Sequence, residues 1–524
     1  MEYYKHDIFS SGVELHSLDG HETNVFGGTR HDEYDMTRMG KKQELQRNFR
    51  FFSIVGFVVI LQATWESSLI ANSFGLFNGG TAGVIWCTIT VWILVMAMIA
   101  SMSEMASIAP TAGGQYHWVS EFAPPSMQQP LSYLVGWCCC LGWVSAIPAC
   151  GQMLAGLVQG MVLLRYPNIK ITALWQTTLI AILFVLLVFA FNIFAARYLP
   201  LAEGIMLIVH VIGFFAFLVV FWTLSEHVSA NRVFTEFQDG GGWGSHGLST
   251  LVGIATPLWC FIGPDSGAHM SEELQDASIQ LPRAMMWATF FNGIMGIAML
   301  ITFCFCISSV DEVLESTTGM AVLEVIYKIT HSYAAVCLLG TLLIILSFFG
   351  TVTVVAAASR QCWAFARDRG FPHSDWIMRI KWDIPLNALL VCMVLSVLIA
   401  SINFGSEVAL GAIVSVSNAA LIFSYIISVG CLRLKRWRGE RLPPRRFDLG
   451  RWGGPVNDIT LVFLIVSFVF SFFPQAPSVG DPDWAANFNW AFPMFLATCV
   501  FAFIYYRCGG RESYIAPVRW VKNE

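Results

Sequence analysis

Twelve stretches of this chain are each long and apolar enough to form a membrane-spanning helix. A bilayer core about 30 Å thick is crossed by about 20 apolar residues in a helix. Within hydrocarbon only a helix or a closed barrel satisfies its own backbone groups. The stretches run near 51–75, 80–107, 131–163, 172–194, 199–222, 248–270, 285–308, 332–358, 385–402, 408–432, 457–475 and 488–506. The third and eighth are long enough to tilt strongly. An all-α, polytopic membrane fold is therefore expected. Composition agrees: 56% of residues are hydrophobic and 12% charged, against about 25% charged in a soluble domain. So few charges could not cover the surface of a soluble protein this size, which excludes a cytosolic enzyme and a disordered chain. With no basic folded domain, a nucleic-acid partner is not expected. The expected partner is the lipid bilayer.

The positive charges orient the spans. Of the 30 Lys and Arg residues, only Arg165, Lys170, Arg232 and Lys328 fall on one side. The other 26 lie in the two tails and the loops that share their side, eight of them between Arg433 and Arg451. No Lys or Arg is expected inside a span. Both termini are thus expected in the cytoplasm. Residues 1–49 are polar and read as a disordered cytoplasmic tail; 511–524 read as a second cytoplasmic tail. The 14 cysteines lie mostly in apolar stretches, without a CxxC pair, and read as small buried hydrophobes. No metal site or cofactor is expected.

Two spans are interrupted. The first carries Thr64-Trp65-Glu66-Ser67-Ser68, and the sixth carries Gly263-Pro264-Asp265-Ser266-Gly267. They lie five spans apart, and an odd offset inverts the second unit relative to the first. Broken helices at matching positions of inverted halves point to a transporter's binding site. The expected organisation is a transporter domain over 50–510, with a first repeat at 50–222, a second at 247–435, and two extra helices at 457–508.

A carboxylate at the bilayer centre costs several kcal/mol, roughly 2.5–3.5 on insertion scales for Asp. With no Lys or Arg in any span, Glu66 and Asp265 call for water, a proton, a backbone amide or an incoming cation. That argues for an amine-bearing solute or for proton coupling. Trp65, Trp259 and Phe261 flank the breaks, where an aromatic face would attract ammonium groups or simply pack. The expected substrate-binding set is Thr64, Trp65, Glu66, Ser67, Trp259, Phe261, Gly263, Asp265 and Ser266. Four further residues are candidates for coupling or gating. Glu104 ends the second span beside a Pro-Thr-Ala-Gly-Gly turn. His210 lies in mid-span five and reads either as a helix–helix hydrogen bond or as a proton relay. Thr351 and Thr353 lie in span eight. Glu203, at the start of span five, is expected to be reached by water.

Three segments carry a family resemblance: SMSEMASIAPTAGGQYHWVSEFAP (101–124), FIGPDSGAHMSEELQDASIQLPRAM (261–285) and SRQCWAFARDRGFP (359–372). They resemble the fungal amino acid/choline transporter family, within the amino acid–polyamine–organocation superfamily, from about residue 48 to 510. The resemblance implies a leucine-transporter-like fold of five plus five inverted helices and two extra ones. It also implies secondary active uptake, usually proton-coupled, of amino acids, γ-aminobutyrate, choline or polyamines. In the superfamily the first break is typically Gly-rich and holds the substrate carboxylate through backbone N–H groups. Ala63 to Ser68 contain no Gly. Several bacterial relatives place a proton-responsive Lys on span five, and this chain has none there. The leading expectation is a plasma-membrane symporter for a small amino-group-bearing solute. An exporter, a vacuolar exchanger or a non-transporting nutrient receptor are the alternatives.

Overall fold

The computed structural model describes residues 26–518 except 172, 317, 406–407, 478–481 and 483. Twelve helices in it are long and apolar enough to cross a membrane: Phe51–Ile70, Ser73–Ile108, Gln128–Arg165, Leu174–Phe194, Ala196–Leu224, His246–His269, Ala277–Phe305, Tyr333–Arg367, Leu386–Phe404, Ala409–Trp437, Gly450–Phe470 and Ala491–Ser513. They are numbered here as spans one to twelve. No strand occurs among the described residues. At 1.5 Å per residue span three, with 38 residues, is about 57 Å long, so it must cross obliquely.

The packing is paired. Spans one and two each pack against spans six and seven, and spans three and four each pack against spans eight and nine. Adding five to the members of one pair gives its partner pair. Span five lies between the two sets, against spans one and eight. Span ten packs on span three, and spans eleven and twelve pack on span ten. Helices in lipid gain nothing from hiding apolar surface, so close approach depends on small residues. Gly350 of span eight and Gly56 of span one do this here. A Cβ on Gly350 would sit 2.9 Å from the Ile60 carbonyl, and one on Gly56 would sit 3.0 Å from the Glu203 carbonyl. The outer helices instead present Leu183, Ile208, Leu398, Val462 and Phe503 outward, an apolar perimeter suited to lipid.

Two expectations need correction. Residues 26–49 are not a disordered tail. Thr29 and Asp32 form a reciprocal capping box that starts the helix Arg30–Arg38, and Met36, Met39, Leu45 and Phe49 are buried in the core. The segment is stitched to span seven through the Asp32 carboxylate, which accepts from the backbone N–H groups of Asp276 and Ala277 at 2.9 and 3.0 Å. Residues 1–25 and 519–524 lie outside the described residues. The second correction concerns charge inside spans. Span eight runs on to Arg367 and takes in Arg360, which is buried and donates to Glu273 at 2.8 Å. A helix whose last turns pack against protein rather than lipid can carry a paired Arg.

Candidate functional site

Span one breaks at a single residue. Ala63 has φ 39° and ψ 50°, between the half-helices Phe51–Gln62 and Thr64–Ile70. The stretch Thr64 to Ser68, expected to be the interruption, is itself helical; the break precedes it. Ala in the left-handed region costs roughly 1–2 kcal/mol, which the surrounding hydrogen bonds offset. Asn292 of span seven donates to the Val59 carbonyl at 3.0 Å, and Thr64 Oγ1 donates to the Asn292 carbonyl at 2.5 Å.

Span six breaks after Phe261. Ile262 is extended, with φ −71° and ψ 147°, and Gly263 has φ +105°, which favours a residue without Cβ. A short turn Ser266–His269 follows. Gln62 ties the two breaks together, donating from Nε2 to the Phe261 carbonyl at 3.2 Å.

Between the breaks lies a narrow cavity of about 80 Å³. Span one contributes Leu61, Gln62, Ala63, Ser67 and Ile70; span six contributes Trp259, Ile262 and Gly263. Trp143 and Cys150 of span three, Ser347, Gly350 and Thr351 of span eight, and Ser417 of span ten close the sides. The lining holds indoles, hydroxyls and one amide, and no charged side chain.

A family model described as amino acid permease matches residues 49–501. The chain belongs to the amino acid permease family. Its relatives include a Macrophomina phaseolina protein named an amino acid/polyamine transporter, 29% identical over 83% of this chain and 96% of its own length. The choline transporter of Saccharomyces cerevisiae is 27% identical over 90% of this chain and 83% of its own length. Amino-acid permease 2 of Neurospora crassa is 26% identical over 92% and 88%. The chain is a membrane transporter and not an enzyme.

In this permease the expected site residues separate into groups. Ser67, Trp259, Gly263 and Thr351 line the cavity. Thr64, Trp65, Glu66, Phe261, Asp265, Ser266 and Thr353 do not; all seven are buried in helix contacts around it. Glu66 and Asp265 are not the unpaired charges that sequence reasoning expected. Glu66 Oε1 lies 2.6 Å from His210 Nδ1, to which the Trp65 indole N–H also points at 3.1 Å. His210 is fully buried and joins spans five and one. Asp265 accepts from Gln115 Nε2 at 2.7 Å and from the Tyr425 hydroxyl at 2.6 Å, with His269 Nε2 at 3.7 Å. Each Asp265 oxygen thus meets one donor from another helix. Both carboxylates are partnered from other helices, which no local pattern could reveal.

The basic end of the bundle, where the Arg-rich segments gather, is sealed by ion pairs. Arg367 holds Glu272 with two parallel bonds of 2.7 and 2.8 Å. Burial works against the Glu272 carboxylate, but Arg367 and the Ala112 N–H together hold it below its ordinary range. Lys41 pairs with Asp368, which also accepts from Tyr116 at 2.8 Å. Burial lowers the Lys41 ammonium against the pull of Asp368. Glu104, the expected gating residue, is clasped by Arg436 and Arg445. Gln115, His269, Tyr425 and the Glu272–Arg367 pair escaped sequence reasoning, although Gly113 and Gly114 mark the turn that delivers Gln115. Glu203, on span five, is not water-reachable as expected: it is fully buried, packed against spans one and eight.

Proposed function

We propose that this permease takes up a small solute with one ammonium or quaternary ammonium head, bound in the cavity between the two helix breaks. The observation that carries the reading is the lining: it joins both breaks and holds no charged side chain. A singly charged or zwitterionic amine suits it. Trp259 and Trp143 offer faces for the cation, and Ser67 and Thr351 offer hydroxyls to its polar end. A polyamine, with several ammonium groups, would need carboxylates that the lining lacks. Choline, γ-aminobutyrate and neutral amino acids therefore stand ahead of putrescine and spermidine. The names of the relatives, a choline transporter and an amino-acid permease among them, support the same class.

The closed basic end supports an inward direction. Ile70 and Trp259 lie on the far side of their breaks from the basic end, so the cavity extends away from that end. The charge bias supports a cytoplasmic basic end; on this reading the solute arrives from outside, the carrier works at the plasma membrane, and proton coupling drives uptake. Residues 50–222 and 247–435 then act as inverted repeats, and the paired packing provides two bodies that can rock about the cavity. Uptake of labelled choline, γ-aminobutyrate, neutral amino acids, putrescine and spermidine in a transport-deficient host tests this. Preferential uptake of spermidine would overturn it.

A further inference from the structure

Every buried carboxylate in a membrane protein needs an account of its charge. In this chain nearly all have one. Asp32 faces Arg47 and two backbone N–H groups. Glu66 faces His210 through Oε1 while its Oε2 has no hydrogen-bond partner, and Glu104 faces two arginines. Asp265 has two hydrogen-bond donors. Glu272 and Glu273 have Arg367 and Arg360, and Asp368 has Lys41.

Glu203 is different: among the described residues no Lys, Arg or His side chain pairs with it. It is fully buried. Its Oε1 meets the Thr353 hydroxyl at 2.7 Å, and its Oε2 has no hydrogen-bond partner. Thr353 Oγ1 also lies 2.8 Å from the Phe349 carbonyl of its own helix. A hydroxyl has one proton to give. Thr353 Oγ1 is within donating distance of both the Glu203 carboxyl and the helix carbonyl, and it can serve only one of them at a time. When Glu203 itself carries a proton it can donate to Thr353 while Thr353 donates to the Phe349 carbonyl, so both contacts are made and no bare charge is left on the unpartnered side.

No charged group offers an alternative. Span five, which opens with the turn Ala196–Tyr198, packs on spans one, seven and eight and the helix Ala321–Thr330. Span one brings Arg50, which is exposed, and Glu66, held by His210. Span seven brings Arg283, exposed at its start. Arg360 and Arg367 of span eight are committed to Glu273 and Glu272. Glu324 accepts from Ser316, and Lys328 pairs with Glu312. Arg197 donates to Tyr198. None forms an ion pair with Glu203 among the described residues.

Its position gives the proton a purpose. Glu203 backs onto Gly56, seven residues before the Ala63 break and so about 10 Å from it toward the basic end. It lies where span one, of one packed set, and span eight, of the other, meet through span five. We propose, resting on the transport reading above, that Glu203 is a proton-binding site of the cycle. It is neutral while the basic end is closed. When that end opens, water enters, the carboxyl O–H ionises, and the proton leaves as hydronium to the cytoplasmic side. A bare carboxylate then resists burial, so the empty carrier does not reclose there until it is protonated again.

Two readouts separate this proposal from the reading beneath it. The first needs no substrate: infrared spectra of the full chain in proteoliposomes, wild type minus Glu203→Gln. The expected result is a protonated-carboxyl C=O band present in the wild type and lost in the variant. Absence of that difference band overturns the proposal, whatever the solute proves to be. The second uses labelled choline and γ-aminobutyrate. Glu203→Gln keeps a neutral donor toward Thr353, so solute counterflow is retained while accumulation driven by an inward pH gradient is lost. Gradient-driven accumulation equal to wild type also overturns it. Failure of wild type to take up either probe, with the infrared band present, refutes the substrate assignment and leaves the proton site standing.

Discussion

Gly263→Val tests whether the span-six break is the working part of the cavity or only a bend. Gly263 has φ +105°, and a Cβ there would lie 2.8 Å from Leu61 Cδ2 and 3.4 Å from the Trp143 ring. Leu61 and Trp143 both line the cavity, so any accommodation deforms its wall. Holding a non-Gly residue in so sparsely populated a backbone region costs of order 1–3 kcal/mol. If that falls on the substrate-competent state, affinity drops by about 5- to 150-fold, at 1.4 kcal/mol per tenfold. Val adds branching on top of the strain. Gly263→Ala should therefore raise the KM for uptake within that range, and Gly263→Val should abolish uptake while surface abundance is preserved. Gly411 in span ten, with no atom within 4 Å of an added Cβ, supplies the control: Gly411→Ala should behave as wild type. Uptake kinetics normalised to biotinylated surface protein make the measurement. Wild-type KM in both Gly263 variants would refute the reasoning.

Trp259→Ala should raise the KM for an ammonium-bearing solute by about 2- to 30-fold, the worth of a cation–π contact of roughly 0.5–2 kcal/mol, and Trp259→Phe should restore most of it; equal loss in both would argue against the aromatic face. A cysteine placed at the exposed Arg441 should react with an impermeant maleimide only after permeabilisation, and labelling of intact cells would reverse the orientation. Arg367→Gln strands the buried Glu272 carboxylate and should cost about 3–5 kcal/mol, read as a lowered Tm in detergent. Adding Glu272→Gln should recover much of that loss, and a neutral single variant would show that the basic end is not sealed by this pair.

The architecture was legible because a helix in lipid must be apolar along its whole length. The twelve spans and the two interruptions five spans apart need no tertiary information. Exact geometry was not legible. Ala63 has no local signal for a left-handed residue; Asn292, distant in the chain, holds it there through Val59 and Thr64. Glu66 and Asp265 looked unpaired because His210, Gln115 and Tyr425 arrive from other helices. Glu203 looked wet because it stands one turn into its helix, and only spans one and eight bury it. The segment 26–49 did carry a readable sign. Thr29 and Asp32 at capping-box spacing, followed by alternating charged and apolar residues, announce a helix N-terminus. Its polar composition outweighed that sign, because its burial comes from the far ends of spans seven and eight.

The sealed end also explains how a transporter built of hydrogen bonds can switch without stalling half-way. Buried ion pairs add little net stability over a hydrated alternative, since desolvation offsets their attraction. Wetting the basic end therefore returns to Glu272, Arg367, Glu273, Arg360, Lys41 and Asp368 most of what their separation removes. The costly states lie between, with a pair broken and the cleft still dry, at about 3–5 kcal/mol for each stranded charge. The pairs link the segment before span one, the turn after span six and the last turns of span eight. No single element can leave alone without stranding a partner on another. The closed end must release as a unit or stay closed, so the network makes the transition two-state rather than merely strengthening one end. Glu203, just inside this seal and without an ion-pair partner, is the buried carboxyl whose charge can change in that transition without first breaking a pair.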